Sequence, residues 1–273
     1  MRNIIFGLFL IFPGLQLSAQ PINEKPENSP YEKHLTEERR AVPYDYVRQA
    51  DVFWEKRLWR VIDCRQKMNM PFTYPKAPFM SVIMDAIRNE GLPVYSALSD
   101  DFSEQIAPSE IFDKLEGTDT IYTRDPETLR DTMIITQQIF DPLTVKKYEV
   151  QEVWFIDKVA SRMLVRIMGI APVRDVYDVN TGEYRGQERL FWIYYPEARQ
   201  ILANANAYNP YNGAIAMSWE SLLEMRFFDS YIIKEENVMD RSIESYATGV
   251  DALLESKRIE DELFDREQGM WSY

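Results

Sequence analysis

Apolar residues fall along this chain in three regimes. Behind a single positive charge at Arg2, Ile4 to Leu17 form a nearly continuous apolar run, interrupted by Gly7, Pro13, Gly14 and Gln16, and Ser18-Ala19 precede Gln20. That is the pattern of a secretory signal peptide, and the run is shorter than the roughly 20 residues a membrane span requires. Residues 1–19 are therefore expected to be removed. Residues 20–50, with Pro21, Pro26, Pro30 and Pro43 and few apolar side chains before Val42, bury too little surface to offset ordering entropy and read as a flexible arm.

From Asp51 the apolar density rises and stays high. At about 100° per residue, Trp54, Leu58, Val61, Ile62 and Arg65 share one face while Lys56, Arg60, Asp63 and Lys67 lie opposite. The spacing predicts an amphipathic helix with Asp51 as N-cap and Pro71 as its stop. A second helix is expected over Met80–Asn89, ended by Gly91 and Pro93, followed by polar loop with short elements over 97–130. From Thr132 to about Tyr208 the period becomes that of strands: Met133–Phe140, Tyr148–Ile156, Met163–Ile170, Leu190–Tyr195 and Arg199–Ala203, separated by turn sequences. Helices return at Trp219–Phe228, with Ser218 as N-cap, and at about Val250–Gln268. No long helical pattern separates the strands, so the fold class is α+β: a mainly antiparallel sheet with N-terminal and C-terminal helices packed on it. The organisation reads as signal peptide 1–19, arm 20–50, globular domain 51–234 and acidic helical region 235–273.

Composition narrows the chemistry. The 273 residues are 45% hydrophobic and 13% aromatic, enough for a substantial core. With 31 Lys and Arg against 44 Asp and Glu, the net charge is −13, which argues against a nucleic-acid partner. A single cysteine, Cys64, forbids an internal disulfide, and a single histidine, His34, falls in the arm. Ser/His and Cys/His mechanisms and Cys/His zinc sites are thereby disfavoured, and no phosphate-loop, dinucleotide or nucleophile-elbow motif occurs. Cys64, among hydrophobes, reads as a buried inert thiol. Carboxylate pairs such as Asp100/Asp101 or Glu235/Glu236 leave a carboxylate-dependent glycan hydrolase as an alternative; a periplasmic chaperone or small-molecule binding module is a third reading. No catalytic, cofactor or metal residue is assigned.

Protein-binding character is the stronger signal. On the helical projection Val52 and Trp59 flank the charged side beside Lys56, Arg57 and Arg60, and aromatic residues with arginine are the types enriched in interface hot spots. The competing reading packs Trp59 under a loop of the same chain. Residues 39–67 carry eight basic and four acidic side chains, and residues 220–273 fourteen acidic and six basic. Such polarity could guide copies head to tail, an assembly expected to weaken as salt rises.

The segment Asp51–Pro75, D-V-F-W-E-K-R-L-W-R-V-I-D followed by P-F-x-Y-P, resembles the signature region of the GldN/PorN family of Bacteroidetes gliding and type IX secretion proteins. The similarity continues through F-M-S-V-I-M-D-A-I, Asp141-Pro142, V-W-F-I-D-K at Val153–Lys158, M-x-V-R-I-x-G-I-A-P at Met163–Pro172, F-W-I-Y-Y-P-E-A-R at Phe191–Arg199 and the region Met217–Phe228. The resemblance implies a periplasmic, non-enzymatic component of the type IX secretion apparatus. It would form a ring with an outer-membrane lipoprotein of the GldK/PorK kind, contact the periplasmic part of a GldM/PorM-like motor protein, and sit at the inner side of the outer membrane without spanning it. That apparatus exports proteins and, in gliding species, supports adhesin movement. Asp119-Thr120-Ile121 and Asp131-Thr132-Met133 also resemble the short Bacteroidetes O-glycosylation acceptor, making Thr120 and Thr132 modification candidates.

Overall fold

A computed structural model describes residues 39–116, 118–124, 131–137, 140–178 and 181–271. The expected signal segment, His34 and the arm up to residue 38 lie outside them. The strands and helices in chain order are β1 (Val52–Asp63), α1 (Phe79–Asn89), β2 (Val94–Tyr95), β3 (Gln105–Ile106), α2 (Pro108–Leu115), β4 (Thr118–Arg124), β5 (Asp131–Gln137), β6 (Val145–Asp157), β7 (Arg162–Tyr177), β8 (Tyr184–Arg189), β9 (Trp192–Tyr194), α3 (Tyr195–Asn204), β10 (Asn206–Ala207), β11 (Met217–Ser218), α4 (Trp219–Glu224), β12 (Tyr231–Glu235) and α5 (Val250–Trp271). The fold is α+β. Antiparallel strands follow the order β12-β1-β6-β7-β9-β2-β3, with β8 also on β7, and β4–β5 and β10–β11 form separate two-stranded ladders. Thr120 and Thr132 stand on β4 and β5, opposite Ile135 and Thr123.

The helix expected from Asp51 is instead the central strand β1. Trp54, Leu58, Val61 and Ile62 satisfy a helical period, but Val52, Phe53, Trp54, Trp59, Val61 and Ile62 are all β-branched or aromatic, types that fit a pleated surface. Residues Leu58–Asp63 are all buried: helices cover one face of this stretch, over Leu58 and Ile62, and the Trp59–Ala171–Trp192 core lies on the other. A strand covered on both faces loses the two-residue alternation by which strands are recognised. Asp51, expected as an N-cap, pairs with Arg48 at 2.7 Å. The second correction is Arg199–Ala203, expected as a strand and found inside α3. Pro196 near the helix start and Glu197 in its first turn favour the helix, and Ala198, Leu202 and Ala203 bury one face.

Side chains alternate across the sheet, so it has two distinct faces. On the first, α1, α3 and α4 bury Phe79, Ile83, Leu202 and Trp219 against Ile62, Tyr148, Val150 and Ile193. Phe72, Phe79, Tyr148 and Trp219 form an aromatic nest with centroids 4.5 to 5.5 Å apart. Farther along the same face α5 packs Ile259 and Leu263 on Leu58 and Ile232. Ser218 caps α4 as expected, its hydroxyl accepting the Ser221 N–H at 3.0 Å. On the second face Trp59, Ala171 and Trp192 form a smaller core.

The second core is roofed by the β2–β3 loop, and one glycine admits it. A Cβ on Gly169 of β7 would stand 2.5 Å from the Phe102 ring and 3.1 Å from Trp192. Phe102 takes a left-handed φ of 57° to lay its ring there, a conformation that is an outlier for a bulky residue.

Residues 39–48 tie α3 and α4 to β7. The Arg39 N–H donates to Asn204 at 2.8 Å, and Arg199 donates to the Val42 carbonyl at 2.6 Å. The Tyr44 ring lies between two guanidiniums, Arg199 at 3.9 Å and Arg166 at 4.7 Å, while its hydroxyl donates to Glu224. Burial, reinforced by Glu224, raises the Tyr44 pKa well beyond the usual phenol range. Arg166 then donates to the Asp45 carbonyl at 2.6 Å.

Gly169→Val should lower stability by about 1–3 kcal/mol, the cost of overpacking, as read from the urea midpoint; an unchanged midpoint would mean that the Phe102 loop yields freely.

Candidate interaction surfaces

The five residues expected to form one patch are divided by the strand they occupy. Lys56 and Arg60 project from the first face of β1, Arg57 and Trp59 from the second, following the register with β6. The patch rested on a helical projection, and the strand period dissolves it. Val52 is half-buried at the start of β1. Lys56 is ion-paired with Glu235 at 2.6 Å. Trp59 is 5% exposed, packed with Ala171 and Trp192, with the Lys234 ammonium 4.1 Å from its ring centroid. Arg60, also 5% exposed, belongs to the interior.

What Arg60 reaches is a buried carboxylate that sequence reasoning missed. Glu152 of β6 is fully buried. Its Oε1 accepts from Arg226 at 2.6 Å, its Oε2 accepts from the Trp154 indole N–H at 2.9 Å, and the Arg60 Nε lies 3.4 Å from Oε2. Arg226 holds its place with a left-handed φ of 54°. Burial pulls the Arg60 pKa down, while Glu152 opposes that shift. Arg60 also lies 3.7 Å from Glu260 on α5, and a cavity of about 280 Å³ opens beside Arg60, Trp154 and Phe264. Alternation along Y-E-V-Q-E-V-W could have suggested that Glu149 and Glu152 face opposite ways, but nothing local distinguishes the buried one.

The groups considered for chemistry are engaged elsewhere. Asp100 pairs with Lys234 at 3.3 Å, Glu235 with Lys56, and Glu236 accepts the Arg57 N–H at 3.4 Å. Asp101 accepts from the Ser99 and Ser103 hydroxyls at 2.5 and 2.7 Å, which hold its pKa down at about 2; it stays ionised at neutral pH and does not serve as a general acid. Among the described residues no group of three or more His, Cys, Asp or Glu side chains gathers to hold a metal, and no helix is long and apolar enough to cross a membrane. Cys64 is buried, and burial with Asp63 nearby pushes its thiol up to about 12.

An exposed apolar surface lies on the outward side of the start of α5. Val250, Leu253 and Leu254 are 61–71% exposed there, ahead of charges largely paired along the helix, such as Lys257–Asp261 and Arg258–Glu262; Phe264, farther along, lines the cavity beside Arg60. The two charge-rich regions of the sequence are not opposite poles. β12 pairs with β1 and α5 packs on it, so Lys56 meets Glu235 and Arg60 meets Glu260 within one molecule.

Glu152→Ala should cost about 3–5 kcal/mol by stranding Arg60 and Arg226; denaturant titration showing a loss below 1 kcal/mol would mean water already solvates the cluster. At pH 8 the Cys64 thiolate should be scarcer by roughly a thousandfold than for an ordinary thiol, so Ellman's reagent should label it only after unfolding. The raised value means the folded state favours the neutral thiol. Its stability contribution is full below the ordinary 9.0 and is lost as pH climbs toward 12.

The family model described as "Gliding motility associated protein GldN" matches residues 47–272. No curated protein matches the chain. The matched span runs from just ahead of β1 to the end of α5, taking in both sheet faces and the helices over them, and the chain belongs to the GldN family.

Proposed function

We propose that the chain is a structural, non-enzymatic subunit of the type IX secretion apparatus. It is exported to the periplasm by residues 1–19 and held at the inner side of the outer membrane by a lipoprotein of the GldK/PorK kind. There it forms a ring with that lipoprotein and other copies of itself, and it contacts the periplasmic part of a GldM/PorM-like motor. Family membership supports the broader statement, a gliding motility associated protein related to type IX secretion. Thr120 and Thr132 are proposed as sites of O-glycosylation.

The observation that carries the reading to a surface is the outward side of α5. Contiguous exposed apolar side chains on an otherwise charged helix mark protein contact sites. Val52, half-buried at the start of β1, remains available to a partner, while Arg57, also half-buried, lines a cavity on the second face. Trp59 and Arg60 act from inside, holding the strand in place.

The test is affinity purification from the native envelope with the wild-type chain and with Leu253→Glu/Leu254→Glu. Both positions are more than 60% exposed, so the double variant should keep its melting temperature. The wild type should bring down the outer-membrane lipoprotein, and the variant should lose at least about 90% of it, the effect of burying two uncompensated charges in a contact. Recovery of the wild type alone, or equal recovery of the lipoprotein by both, would reject the reading.

A further inference from the structure

The second face of the sheet holds a cavity of about 410 Å³, within the size range of small-molecule sites. Gln151 of β6 and Arg57 of β1 line it, together with Tyr95, Phe102 and Tyr194. The Phe102 ring meets Tyr95 edge-on at 5.7 Å and Tyr194 tilted at 5.3 Å. Neither contact is a parallel stack; Phe102 itself is engaged against Gly169 and Trp192, and Tyr95 and Tyr194 are half-buried beside it.

Two buried polar atoms at this cavity lack partners. Gln151 is 1% exposed. Its amide nitrogen donates to the Asp100 carbonyl at 3.1 Å, which orients the side chain and leaves Oε1 without a hydrogen bond. The Arg57 Nε is likewise buried and unpartnered, and its guanidinium forms no ion pair among the described residues. Leaving such groups unmade is costly, and folded proteins rarely do so without a reason. The cavity thus presents one acceptor that needs a donor and one cationic donor that needs an acceptor, beside aromatic rings.

We propose that this cavity binds a neutral saccharide, one or two pyranose rings of a glycan. A sugar hydroxyl donates and accepts at once, so neighbouring hydroxyls meet both Gln151 Oε1 and Arg57, while the apolar C–H face of the ring lies on the aromatic side chains. Charge favours a neutral ligand over an anionic one: Asp100, Asp101 and Glu197 also line the cavity. Carboxylates accept hydroxyl protons readily and repel acids. Peptide addition to a strand edge is not available here. The main chain of Gln151 pairs with Trp59 on one side and Gly169 on the other, and Tyr95 pairs with Gln105 and Trp192. Asp101, held as a carboxylate by two serines, has no proton to lend a glycosidic oxygen, and the proposal is of binding alone.

Saturation-transfer NMR and calorimetry with the purified chain lacking residues 1–19, using cellotriose, chitotriose and maltotriose as probes, test this. At least one trimer should bind with a Kd below about 1 mM, and binding should be unchanged by 0.5 M NaCl, about where ionic contacts are screened. Arg57→Ala and Tyr95→Ala should each weaken it about tenfold or more with unaltered circular dichroism melts. Tyr95 is half-buried at the edge of the cavity, so its variant keeps the test open if Arg57→Ala melts early. Saturation transfer to none of the three, undiminished binding in both variants, or displacement of the sugar by an acidic or proline-rich peptide that itself occupies the cavity would each overturn the proposal.

Discussion

A carboxylate without access to water, near the middle of a sheet, has to be neutralised from several directions at once. Glu152 is that group, and its partners come from three places: Arg60 on the neighbouring strand, Trp154 two residues along β6, and Arg226 from the turn after α4. The first face is covered by two helical groups, α1 with α3 and α4 at one end and α5 at the other, each with its own apolar cluster. Glu152 and the side chains it requires fall between those clusters. Such networks add little net stability over an apolar equivalent, but a single misplaced partner is expensive. In this chain the network ties the turn after α4 to the sheet, and through Arg60 and Glu260 it ties α5 to the same point.

What could be read from the sequence was local. The long strands β6 and β7, α1, the Ser218 cap and the charged α5 each carry their signal within a few residues, and each is found. β1 reads as a helix because its second half, buried on both faces, has no alternation, and Trp54, Leu58, Val61 and Ile62 fit a period of 3.6. The segment that carries the family resemblance includes this same strand, so the resemblance marks the right residues although their spacing suggests the wrong conformation. α3 is hidden for the opposite reason: Ile201, Leu202 and Ala203 form an apolar run too short to separate strand from helix without the proline and glutamate ahead of it.

The sites depended on contacts that no window along the chain contains. Gln151 is oriented by a carbonyl 51 residues away, and Glu152 is met by an arginine 74 residues away. The close approach of Phe102 to Gly169 joins a loop to a strand across the whole of α2 and the β4–β5 ladder. A glycine in a strand interior is the one local hint of such an approach. The expected patch of Val52, Lys56, Arg57, Trp59 and Arg60 contained the right strand but assigned one surface to residues that serve two faces and an interior.

The folding together of the basic and acidic stretches has a further meaning for how copies of this protein meet. Arg48, Lys56, Arg60 and Arg65, half of the eight cations between residues 39 and 67, are paired at contact distance with Asp51, Glu235, Glu152, Glu260 and Asp63, which weakens the positive field of this stretch within a chain whose net charge is −13. Beyond a Debye length of about 8 Å at physiological salt such bodies barely sense one another, and inside it they repel. For the ring proposed above, association of copies would start from a barrier that added salt lowers. In the proposed ring, short-range apolar contact rather than a long-range field would then hold and orient neighbouring copies.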